Sequence, residues 1–281
     1  MDKSKKTERK KKIEFEAQLA GVIGKIIAHF QKLLENYEEN EALSFLQMYS
    51  LKQGIKKFSD KGCKAVHKEI GQLHKKKVFC LIHVKDMTEQ ERKQAMESLI
   101  FLNEKGDKSI NARTWANGST QRAYITKKEA TSPTASLKAI LTMAVIDAKQ
   151  ERDVMTIDVP NAFVQTPIPK GEKKIIMKMT GQLVDIMIEL FFGEYNEFVI
   201  YEWNQKVLYL EMLKALYGML VALILYYKKF RKDIEKIGFV VNPYNACIAN
   251  ITVRGKQHTI SWHVDNLKSS HADPKTNVEF A

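Results

Sequence analysis

The order of apolar and polar positions divides this chain into helical and extended stretches. From Ile13 to about Leu51, apolar residues recur at spacings of three and four (Leu19, Val22, Ile23, Ile26, Ile27, Phe30, Leu33, Leu34), the pattern of an amphipathic helix, and Asn40 to Ala42 divides it in two. Gly54 and the run Ser59 to Gly62 mark a looser junction, after which 65–76 is again helical in pattern. KVFCLIHV (77–84) has strand character. The spacing predicts a helix over 87–106, capped by Thr88 with Glu91 three residues on. KSINARTWANG (108–118) alternates and ends on Asn-Gly, a turn signal. Ser132-Pro133 opens a predicted helix to Lys149.

In VMTIDVPNAFV (154–164) Pro160 cannot donate to a sheet ladder, so the strand is expected to end near Asp158. KKIIMKM (173–179) alternates like a strand. KVLYLEMLKALYG (206–218) leads into LYGMLVALILYY (216–227), read as a buried helix that continues to about Phe239. That apolar stretch is shorter than the roughly 20 residues a bilayer span needs, and KKFRK follows it. A hairpin is predicted from 246–253 and 258–264, joined at RGKQ. WHVDNLKSSH (262–271) reads as strand, two-residue turn at Asp265-Asn266, and strand.

Composition narrows the picture. A 281-residue chain that is 44% hydrophobic can bury a large core. Its 45 Lys and Arg against 33 Asp and Glu give a net charge of +12, which suits a polyanionic partner and equally suits plain solubility. Residues 1–12 hold seven basic residues; they read as a disordered tail, either for nuclear targeting or nucleic-acid binding or simply solvated. Cys63, Cys80 and Cys247 are too far apart for a metal or redox pair and point to reduced thiols inside a cell, cytoplasmic or nuclear, with no membrane involved.

Two acids stand out by context: Asp158 at a strand end and Asp265 at a hairpin tip. Each alone is an ordinary cap or turn residue. Together they could hold hard divalent cations through oxygen ligands, as phosphoryl-transfer chemistry requires.

Around these acids the sequence resembles the reverse transcriptases of copia-type retrotransposons. TIDVPNAFVQTPIP (156–169) is similar to their first aspartate motif, KALYGM (214–219) to the following glycine motif, and WHVDN (262–266) to their metal-binding hairpin. QRAYITKKEATSP (121–133) resembles the stretch ahead of the first motif, and NARTWANGSTQR (111–122) the basic fingers segment. The matches run in the family's order over about residues 50–281.

The resemblance implies an α/β (α+β) fold with the fingers and palm of a right-hand polymerase, a helical N-terminal extension and no thumb. Its divisions would be a basic tail (1–12), a helical segment (13–58), a fingers-like part (59–153) and a palm (154–281). It implies an RNA-directed DNA polymerase that uses Mg²⁺ or Mn²⁺ to add dNTPs to a primer on an RNA or DNA template, with thumb and ribonuclease H supplied by other parts of a polyprotein. Asp158, the Val159 carbonyl and Asp265 would hold metal. Arg113 would reach the triphosphate, Phe163 would gate against a 2′-hydroxyl, and Gly218 would let the backbone approach nucleotide or template. Read without the resemblance, these three are a surface arginine, a core aromatic and a helix kink.

Two departures are visible. Asn266 stands where the family has a second aspartate, which implies impaired catalysis, and apolar LVALIL (220–225) replaces the polar residues usual after the glycine. The alternative is a catalytically dead remnant that binds nucleic acid.

Overall fold

A computed structural model describes residues 47–281 apart from 170 and 172. The basic tail and the helical segment expected from Ile13 lie outside the described residues up to position 46; at the end of the helix expected to about Leu51, Tyr49–Ser50 is instead a strand paired with Phe101–Leu102. The first described elements are β1 (Tyr49–Ser50), α1 (Leu51–Lys75), β2 (Phe79–Leu81), α2 (Glu89–Gln94), β3 (Met96–Glu104) and β4 (Ile110–Ala116). Next come α3 (Lys127–Ala130), α4 (Leu137–Lys149), β5 (Asp153–Asp158), β6 (Ile176–Thr180), α5 (Gln182–Leu190), β7 (Ile200–Glu202) and β8 (Gln205–Met212). The chain continues through α6 (Ala222–Lys236), β9 (Val240–Val241), β10 (Ile248–Val253), β11 (Lys256–His263), β12 (Asn266–His271) and α7 (Pro274–Phe280).

The fold is therefore mixed α/β, with two sheets. The larger runs β1-β3-β6-β8-β2, with β4 also on β3 and β7 on β8; its β3–β6 pairing is parallel and its other pairings antiparallel. The smaller is antiparallel throughout, in the order β5-β12-β11-β10-β9. One core joins α1 (Val66, Ile70, Leu73) to the larger sheet (Met177, Met179, Leu208, Leu210) and α5 (Val184, Met187). A second lies under one face of the smaller sheet, where Tyr227 and Ile234 of α6 meet Ile260, Trp262 and Leu267. Among the described residues no helix is long and apolar enough to cross a membrane.

Several expected elements form as read. β5 ends at Asp158 ahead of Pro160, and the β10–β11 hairpin forms, with its turn tightened from the expected 254–257 to Arg254-Gly255 so that Lys256 and Gln257 join β11. Thr88 and Glu91 close a capping box at the start of α2, the Glu91 carboxylate accepting the Thr88 amide at 2.7 Å. α1 crosses the boundary expected at 58/59 as one element with a kink at Ser59 (φ 46°), inside the looser junction.

Others differ. The helix expected over 87–106 stops at Gln94, and Met96–Glu104 is a strand. Its apolar run is paired with β4 on one edge and with β1 and β6 along the other, and this pairing outweighs the helical preference of Met, Glu and Leu, which is worth only a few tenths of a kcal/mol per residue. The Asn117-Gly118 turn signal falls where a 3₁₀ segment starts, with Asn117 as its cap. α4 is capped at Ser136, whose hydroxyl accepts the Ala139 amide at 3.3 Å, four residues past Ser132. The stretch 205–212 is strand, and the apolar helix begins only at Ala222 because Gly218, at φ +86°, interrupts it. The last hairpin turns at Val264-Asp265, one residue earlier than expected, so Asn266 opens β12 opposite His263.

Candidate active site

β12 pairs with β5 so that Asn266 faces Asp158 and Leu267 faces Ile157. The Val159 amide donates to the Asp265 carbonyl at 2.9 Å, extending this contact past the end of β5. Asp158, Asp265 and Asn266 are thereby assembled at one end of the smaller sheet. Asp158 and Asn266 are exposed, Asp265 half-buried. The Asn266 Nδ2 donates to Asp265 Oδ1 at 3.2 Å, so the amide partly satisfies its neighbour's charge. Val264, a β-branched residue at φ +58°, makes the turn in a conformation that costs on the order of 1–3 kcal/mol.

Two tyrosines absent from the sequence expectations complete the site. Burial raises the Tyr226 hydroxyl pKa, and the charges of Asp265 and Asp158 raise it further. That hydroxyl is buried with no hydrogen-bond partner among the described residues. Burial also raises the Tyr217 pKa; Arg113 opposes the rise, while Asp265 and Asp158 add to it. One ring thus feels both acids and the arginine. The Arg113 guanidinium sits 4.5 Å from the Tyr217 ring centroid. Phe163, only 6% exposed, meets Tyr217 edge-on at 4.8 Å and belongs to the larger core. The half-buried Tyr217 ring is the accessible part of this stack.

Gly218 makes a close backbone approach, but to its own chain. A Cβ there would fall 2.1 Å from the Ala116 carbonyl, and one on Gly118 2.3 Å from the Gly218 carbonyl. The Ala116 amide donates to the Tyr217 carbonyl at 2.7 Å, and the buried Gln121 side chain accepts the Leu220 amide at 2.7 Å. This double crossing ties the end of β4, which carries Arg113, to the turn that carries Tyr217. In the sequence this crossing shows only as the Asn117-Gly118 turn signal.

Beside α6 lies a cleft of about 520 Å³. Its floor is apolar (Ile168, Val221, Ile224), and Lys128, Lys173, Lys174 and Lys228 surround it, with Tyr124 beneath the Lys173 ammonium at 4.3 Å. Four lysines against the single acid Glu129 suit a polyanion.

Among the described residues no group of three or more His, Cys, Asp or Glu side chains is arranged for a metal. The oxygen donors at the hairpin, two carboxylates with backbone and amide carbonyls, fit a hard divalent cation such as Mg²⁺ in type and charge. Comparison with protein-family models gives no match, and comparison with curated proteins gives none.

Proposed function

We propose that this chain is a copia-type reverse-transcriptase domain, with fingers formed around β3, β4 and α1 and a palm formed around the smaller sheet. The observation that carries the reading is the β5–β12 register, which sets Asp158 beside the hairpin tip bearing Asp265. Asp158, Asp265 and the Val159 carbonyl would hold Mg²⁺ or Mn²⁺, which when bound supplies charge to activate a primer hydroxyl and to stabilise departing pyrophosphate. Arg113, held over Tyr217, orients the nucleotide's phosphates through its guanidinium fork. The Tyr217–Phe163 stack forms the wall that limits the sugar, with Phe163 acting from beneath. The lysine-rimmed cleft beside α6 takes the template–primer backbone.

Asn266 weakens the site because an amide carries no charge to share with the metal. A second reading, a nucleic-acid-binding remnant without activity, draws on that substitution together with the basic cleft. Primer extension on a homopolymer template, with Mg²⁺ or Mn²⁺, tests the first reading. Incorporation that Asp158→Asn abolishes supports polymerase activity. No incorporation by the chain or by Asn266→Asp, together with salt-dependent binding, leaves the remnant.

A further inference from the structure

The opposite end of β5 carries a separate feature. Asp147, on α4, is buried at 7% side-chain exposure and already bonded on both oxygens, to the Lys268 ammonium and the Ser270 hydroxyl. Arg152, equally buried at 6%, stands 4.0 Å from that carboxylate. Its Nε donates to Gln150 and one terminal nitrogen to Thr259 at 3.1 Å; the other has no partner among the described residues. One carboxylate therefore faces two cations, and a buried guanidinium is left without a full counter-charge. Its field reaches through the sheet to His258, where it adds to burial and His271 in lowering the imidazole pKa.

Arg152 lines a cleft of about 380 Å³ between α4 and the β10–β11 hairpin, and a second of about 390 Å³ on its other side with Lys256. The first also receives Lys138, Asn242 and Asn250. The Asn242 Oδ1 accepts the amides of Tyr244 and Asn245, and the Asn250 Oδ1 accepts from Thr259 and Gln257. Both asparagines are thus left with an NH₂ to offer; the Asp147 carboxylate also lines the cleft, but both its oxygens already accept from Lys268 and Ser270, so the free groups there are donors. Tyr244, 97% exposed, stands at its edge.

We propose that this cleft binds a phosphate group, seated between Arg152 and Lys138 and bonded by the Asn242 and Asn250 amides, from free phosphate or a small phosphate ester. The six residues of β5 separate it from Asp158 by roughly 20 Å, so it is distinct from the candidate active site.

Isothermal titration of the full chain with inorganic phosphate, and separately with adenosine 5′-monophosphate, in about 0.15 M chloride tests the assignment. Saturable binding is expected, weakened about tenfold or more by Lys138→Glu and by Asn242→Asp. Asn242→Asp keeps the acceptor that the Tyr244 and Asn245 amides need, so it removes the donor without removing the turn. Lys61→Glu, an exposed charge reversal of the same size on α1, should leave the affinity unchanged. Tighter binding of the nucleotide identifies a phosphate ester as the ligand, and equal binding identifies free phosphate. Absence of binding, or binding that both cleft variants leave intact, overturns the proposal.

Discussion

Asn266→Asp offers the sharpest test of the candidate active site, because its effect on stability should reverse with metal. The substitution sets a third carboxylate opposite Asp158 and next to Asp265, and it removes the 3.2 Å bond from the Asn266 amide. Facing side chains on paired strands are about 5 Å apart. At that distance two unit charges repel by about 0.8 kcal/mol in a water-like dielectric and about 3 kcal/mol at an effective dielectric of 20. Asp158 and Asn266 are exposed, so the lower figure applies, and two such pairs plus the lost bond come to about 2 kcal/mol. For a folded unit of this size that lowers Tm by roughly 4–8 °C in EDTA at low salt. Mg²⁺ held by three carboxylates should restore the loss, since ligand at a hundred times its Kd adds about 2.7 kcal/mol. Thermal melts of both proteins, in EDTA and in Mg²⁺, read this directly. Primer extension by the variant should rise on the order of a hundredfold if about 3 kcal/mol of transition-state stabilisation returns. Equal Tm values in EDTA with no response to Mg²⁺ would show that the three positions do not share one charge cluster, and the assignment of Asp158 and Asp265 as metal ligands would fail.

Three further outcomes follow from the packing. Gly218→Ala should cost about 3–5 kcal/mol in urea unfolding, combining left-handed strain, a 2.1 Å clash with Ala116 and a disturbed Ala116–Tyr217 bond, whereas Gly71→Ala, with open space around it in α1, should be neutral or mildly stabilising. Burial pushes the Glu202 carboxyl up, but hydrogen bonds from Lys178, Arg92 and Tyr209 hold it down at about 2. Its contribution is therefore complete above the unfolded value near 4.3 and is lost as pH falls toward 2, so the urea midpoint should drop between pH 5 and pH 3, and less so in Glu202→Gln. His258, pushed down to about 4 by burial and then by His271 and Arg152, is protonated in the unfolded chain first. Stability should fall as pH drops from about 6.5 toward 4, and an NMR titration placing the folded imidazole near 6.5 would contradict its burial.

Features set by neighbours in the chain were legible from the sequence. Pro160 cannot donate to a ladder, which ends β5 at Asp158; Arg254-Gly255 turns the β10–β11 hairpin; Thr88 and Glu91 cap α2. Each depends on bonds within a few residues. Met96–Glu104 became a strand through pairing with β1, β4 and β6, partners that its own composition does not reveal. The last hairpin was legible as a hairpin, but its turn lies one residue earlier, and a one-residue change of register alternates which side chains share a face. A second register, that of β12 on β5, sets Asn266 opposite Asp158. Tyr217, Tyr226 and Gly118 acquire their places only when distant segments meet: Tyr217 between Arg113 and the two acids, Tyr226 buried near the same acids, Gly118 against the Gly218 carbonyl. The sequence by itself determined which residues could carry charge, end a strand or turn the chain, because those properties belong to single side chains and short spans of backbone. Only the tertiary structure decided which of them stand together, because strand pairing and burial are set by contacts between segments far apart in the chain.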